Sequence, residues 1–199
     1  MPDDKRGREK QARDEDRRQR ERAVATYLER ADEPEPPVDP AALETIEGDI
    51  AELDFPAPAA TIVSAVGDRE LASTSTTYTV AELLPDSELE TFDSPSEVRT
   101  RIERPTVATA MKRIVEASAS IRHEPIGHSQ RDAYEATLRA VAAVDAIDED
   151  EGIRTITDWI VERIESKGSL PGSRDVRREA AKLARAEGYE VRDDEWLGI

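Results

Sequence analysis

SPSEVRTRIERPTVATAMKRIVE, residues 94–116, contains two helix starts and one helix stop, and its reading decides the fold. Ser94 can cap a helix with its hydroxyl, and Pro95 suits the first helical position, where no N–H is needed. Glu97 completes a capping box ahead of Val98 and Ile102. Pro105 cannot continue that helix, because it lacks an N–H and its ring collides with the preceding turn, so a second helix must restart there. Val107, Met111, Ile114 and Val115 then recur with the 3.6-residue period of an amphipathic helix, and that stripe is expected to face a core.

The same signals repeat on both sides. Upstream, Asp39 and Pro40 read as cap and first residue of a helix with Leu43, Ile46, Ile50 and Leu53 on one face. Pro56 opens a short helix through Ile62, Val63 and Val66 that Gly67 ends, TTYTV suggests a short strand, and Ala81–Leu84 reads as one helical turn. Downstream, two longer amphipathic helices are expected: Gln130–Ala146, with Tyr134, Leu138, Val141 and Val144, and Gly152–Lys167, with Ile153, Ile156, Trp159, Ile160 and Ile164. Trp159 is expected as a core anchor, with Arg163 opposite. No fixed-period repeat is evident. The fold class is therefore mainly α, with one or two small helical domains and at most a short strand pair.

Organisation follows from composition. Residues 1–31 form a charged arm, helical or disordered, with almost no apolar residue before Ala23. The stretch 32–40, DEPEPPVDP, is a Pro-rich linker. A first helical subdomain is expected over 41–119 and a second over 129–199. Lys and Arg number 28 against 45 Asp and Glu, giving a net charge of -17, and Arg far outnumbers Lys. Such an acidic surface keeps a protein hydrated in a salt-rich cytoplasm or meets a basic partner; charge alone does not separate the two. There is no Cys, hence no disulfide or thiolate site. No apolar run of about 18 residues exists, and MPDDKRGREKQ lacks the apolar stretch of a signal peptide, so a cytoplasmic location away from the membrane is expected.

Known catalytic patterns are missing. HEPIGH, with His123 and His128, is one residue too long for the HExxH zinc helix and is broken by Pro125. In DAIDEDEG, placing Gly152 at the sixth position of a calcium loop puts Ile147 where a liganding Asp is needed. There is no GxxxxGK[ST], GxGxxG or GxSxG. The chain reads as a non-enzyme with no cofactor and no metal.

One stretch stands against the overall charge. In SLPGSRDVRREAAKLARAEGYEV, Ser173 is placed to cap a helix from Arg174 that Gly188 ends. At about 100° per residue, Arg174, Arg178, Lys182 and Arg185 fall within roughly 80° of arc, opposite Val176, Ala180 and Leu183. With the preceding helix and a short turn, the outline is helix-turn-helix-like; the stripe is expected either to offset neighbouring carboxylates, including Asp193, Asp194 and Glu195, or to contact phosphate.

The run FPAPAATIVSAVGDREL, then YTVAELLP, then ETFDSPSEVRTRI resembles the small domain of a family of uncharacterised proteins of halophilic archaea. In that family a Phe-Pro opens one helix and a Phe-Asp-Ser-Pro-x-Glu-Val pattern opens a later one. Residues 54–104 carry the resemblance best, and RPTVATAMKRIVEA and DDEWLGI extend it. It implies a cytoplasmic helical module of a halophile and no known activity.

Two functions are expected from different classes. One is a non-catalytic protein-interaction or regulatory module of a salt-adapted cytoplasm, with a protein partner. The other is a nucleic-acid- or ribosome-associated factor that uses Arg174, Arg178, Lys182 and Arg185 together with Arg17, Arg18, Arg20 and Arg22 of the arm.

Overall fold

The computed structural model describes residues 38–73, 76–122, 126–144 and 149–188. The arm, most of the linker, His123 and the segment after Gly188 lie outside the described residues, and Pro36–Ile199 forms a unit separate from Met1–Glu35. Among the described residues the chain is mainly helical, with eight helices and two short antiparallel strand pairs.

Helix α1 spans Pro40–Ile50 and begins as its sequence dictates: the Asp39 carboxylate accepts from the Ala41 amide at 3.0 Å, and Pro40 occupies the first turn. Its buried face is Leu43, Ile46 and Ile50. Leu53, just past its end, packs half-buried against the same core. Strand β1 (Ala57–Pro58) leads into α2 (Ala59–Val66), which starts three residues after Pro56 because residues 57–58 are drawn into a ladder. Strands β2 (Glu70–Ala72) and β3 (Thr77–Thr79) pair with Leu71 opposite Tyr78, and Val38 bridges Ser73, so the last residues of the expected linker belong to the fold. Helix α3 is the single turn Val80–Leu83, capped where Glu82 accepts from the Thr79 amide at 2.7 Å. Strand β4 (Thr91–Phe92) returns to β1, placing Phe92 opposite Ala57.

Helix α4 (Pro95–Ile102) and helix α5 (Pro105–Arg122) are the two elements of the opening stretch. Ser94 Oγ accepts from the Glu97 amide at 3.3 Å, while the Glu97 carboxylate reaches back to the Asp93 amide at 2.7 Å, one residue earlier than in a standard capping box. Helix α6 (His128–Ala142) starts and stops earlier than its periodicity suggests, α7 spans Glu149–Lys167, and α8 spans Ser173–Ala186.

Among the described residues two large apolar clusters result, with a small third of Val144 and Ala184. The first unites α1, α2, α3 and α4 around Leu43, Ile62, Leu71, Leu83, Phe92 and Ile102. The second unites α5, α6, α7 and α8 around Met111, Ile114, Tyr134, Leu138, Ile156 and Ile160. Helix α5 backs both, since the neighbours Val107 and Ala108 point into different clusters. Trp159 does not anchor either. It is half-buried at the rim of the second cluster, with the Arg163 guanidinium 5.0 Å from its ring centroid on the same face, as an i,i+4 pair must be.

Candidate functional site

Helix α8 separates its two faces as the sequence demands. Val176, Ala180, Ala181 and Ala184 are buried and Leu183 is half-buried, whereas Arg174, Arg178, Lys182 and Arg185 are all exposed. Small Ala side chains let the helix seat closely, and the cations are left in water. Arg178 lies 3.5 Å from Asp175 and Lys182 lies 3.1 Å from Glu179, both one turn back on the same helix. Exposed pairs of this kind contribute about 0.5 kcal/mol or less, so they leave the face available to another anion. Arg17, Arg18, Arg20 and Arg22 lie outside the described residues.

A second group of charges meets inside the fold. Arg101 of α4 is buried, donating from Nε to Glu135 at 2.9 Å and from Nη1 to Glu90 at 2.9 Å. Glu135 also accepts from Arg139 at 2.9 Å, and Arg139 in turn donates to Glu103 at 3.0 Å and to the Thr100 carbonyl at 2.6 Å. Arg131 donates to the Thr91 carbonyl at 2.7 Å and to Glu97, the residue that caps α4. The guanidinium carbons of Arg101 and Arg131 each sit 5.6 Å from the Phe92 ring centroid, within cation–π range. Three guanidinium groups and four carboxylates thus form a seam joining α4 and the 90–91 strand entry to α6.

Burial opposes the charge on Arg101, but Glu135 and Glu90 outweigh it and hold its pKa above the ordinary value. Burial likewise opposes charge on Glu135, and Arg101 and Arg139 outweigh it, keeping this carboxyl below its ordinary range. Arg139 is held up against burial by Glu135 and Glu103. All three stay ionised at neutral pH.

The signal for this seam was in the sequence. Arg101 shares the phase of Val98 and Ile102, and Arg131 that of Tyr134 and Leu138. A cation in the apolar phase of a helix is either misplaced or paired. Its partner cannot be read without the fold.

Beside the seam lies a cavity of about 220 Å³, bounded by residues 88–91, by Val115 and Ser118 of α5, and by the chain from Ile126 to Arg131. Glu90 Oε2 and Ser118 Oγ are buried there with no hydrogen-bond partner among the described residues. His128, exposed at the first turn of α6, has Nδ1 3.3 Å from Arg131 Nη2. Among the described residues no three Asp, Glu or His side chains stand together to hold a metal ion, and no helix is long and apolar enough to cross a membrane.

No curated protein matches this chain, and no solved structure does. Residues 40–114 match a family of unknown function (DUF5789); the match runs from the first residue of α1 into α5, encloses the stretch 54–104, and carries Glu90 and Arg101 but not α6, α7 or α8.

Proposed function

We propose that the chain is a non-catalytic interaction module of a salt-adapted cytoplasm, and that the basic face of α8 is where an anionic partner docks. The observation that carries this reading is the exposure of Arg174, Arg178, Lys182 and Arg185 on one face of a helix whose opposite face is seated in the second core. A seated helix presents its cations without a backbone-ordering cost at the moment of binding, which leaves only the side chains to be ordered. In a chain of net charge -17, such a face is the natural contact for a partner that the rest of the surface repels.

A second reading makes the partner nucleic acid or the ribosome, with the arm taking part. The preference for Arg favours it, because the guanidinium fork matches phosphate bidentately. Replacing Arg174, Arg178, Lys182 and Arg185 together by Gln keeps helix propensity and stem packing. The variant should fold as the parent does and lose its partner in a pull-down at native salt. Loss of the partner on nuclease treatment of the parent assigns the surface to nucleic acid, and the salt dependence of binding should then become shallower by about 0.9 log unit per lost phosphate contact. Retention of every partner by the quadruple variant overturns the assignment of α8.

A further inference from the structure

We propose, resting on the reading of α8 as a docking face, that its anionic partner is a second copy of this chain, the basic stripe of each α8 lying on the outer face of the other copy's α7. Glu151, Asp158, Glu162 and Glu165 are all exposed on α7, and at about 100° per residue they fall within roughly 60° of arc. They stand opposite Ile153, Ile156, Ile160 and Ile164, which are buried. This acidic stripe runs about 21 Å along its helix and the basic stripe of α8 about 16.5 Å, at about 1.5 Å per residue. One chain therefore carries, on two consecutive helices, two outward stripes of opposite charge and similar length.

The borders of the stripes favour this partner over a polyanion. Asp175 and Glu179 flank the cations of α8, about 100° and 140° round from Arg174. The phosphates of a nucleic acid repel both. On α7, Arg154 is exposed at the margin of the acids, about 60° round from Glu151, and supplies a cation to that border. Helices α7 and α8 follow one another through the turn at 168–172 and both seat in the second cluster, so a two-fold axis running between them closes both contacts at once. Two chains of net charge -17 repel as wholes. At about 0.15 M salt a Debye length of about 8 Å confines that repulsion, while opposite charges in contact still attract.

Sedimentation equilibrium of the full chain over a range of concentrations, in potassium chloride at about 0.15 M, should show a reversible monomer–dimer equilibrium. Arg174→Glu, Arg178→Glu and Arg185→Glu together turn the α8 face acidic. Glu151→Lys, Glu162→Lys and Glu165→Lys together turn the α7 face basic and leave Asp158 to Arg113, 2.7 Å away. Every changed side chain is exposed, so the circular dichroism of both triple variants should match the parent. Each triple variant alone should dimerise at least about tenfold more weakly, because several exposed pairs are lost and like charges meet. An equimolar mixture of the two should recover the dimer, since every acidic face then meets a basic one, and so should a chain carrying all six changes. A parent that stays monomeric at every concentration, association that neither triple variant weakens, or a mixture no better than its components overturns the proposal. If the parent is monomeric and the quadruple Gln variant still loses its pull-down partner, self-pairing fails while α8 stands as a docking face for another anion. If that variant also keeps every partner, both readings fail.

Discussion

Arg101 shows most clearly how one side chain can be decided by its surroundings. Its helix is short, it stands in the apolar phase, and its head group ends against Glu90, Glu135 and the Phe92 ring. Removing it leaves Glu90, 2% exposed, and Glu135, 15% exposed, without their main partner, and removal of one member of a buried pair typically costs about 3–5 kcal/mol. Arg101→Met should therefore lower the urea midpoint sharply, and adding Glu90→Gln should recover part of the loss because one uncompensated charge disappears with it. If the double variant is no more stable than the single one, Glu90 does not depend on Arg101. Trp159 teaches the converse. A large aromatic side chain in a predicted core stripe sits at the rim because Ile156 and Ile160, on either side of it in the chain, fill the interior.

Among the elements, α4 joins local and long-range structure. Ser94 caps it, and Glu97 caps it again while accepting from Arg131 of α6, so one carboxylate serves helix start and interhelical contact together. Ser94→Ala removes only the hydroxyl bond to the Glu97 amide and should cost about 1 kcal/mol. Glu97→Ala removes the bond to Asp93 and the charge beside Arg131 as well, and should cost clearly more in a denaturant titration. Equal losses in the two variants would show that the Glu97–Arg131 contact contributes nothing. Helix α8 is the opposite case, an element whose exposed face shows, among the described residues, weak pairs along its own length.

For the whole unit, the seam sets how stability responds to pH. Glu135 has a folded pKa below its unfolded value, which is about 4.3, so its contribution is present above that value and is lost as pH falls through the folded one. Tyr134 titrates the other way. Burial pushes its hydroxyl up to about 12, where it accepts from Gln130 at 2.9 Å and donates to the Pro171 carbonyl. Its contribution is complete below the unfolded value of about 10 and is lost as pH rises towards the folded one. The urea midpoint should fall below about pH 4 and again above about pH 10. The acid limb should be shallower in Glu135→Gln and the alkaline limb shallower in Tyr134→Phe; limbs unchanged by these substitutions would show that other groups govern the response.

What the amino-acid sequence determined by itself was local. The starts at Asp39, Ser94 and Pro105, the burial of Leu43, Ile46 and Ile50, and the two faces of α8 all depend on residues within a few positions of one another. A hydrogen bond to a neighbouring amide and a period of 3.6 residues are written in consecutive letters. The tertiary structure decided the seam, the cavity and the strand pairs. Arg101 meets Glu135 across 34 residues and Arg99 meets Glu47 across 52, and β1 finds β4 only after α2, α3 and the β2–β3 pair have intervened. No spacing encodes such encounters, because which carboxylate reaches a guanidinium depends on how helices pack their apolar faces, and many acidic residues in this chain could serve equally well by sequence alone.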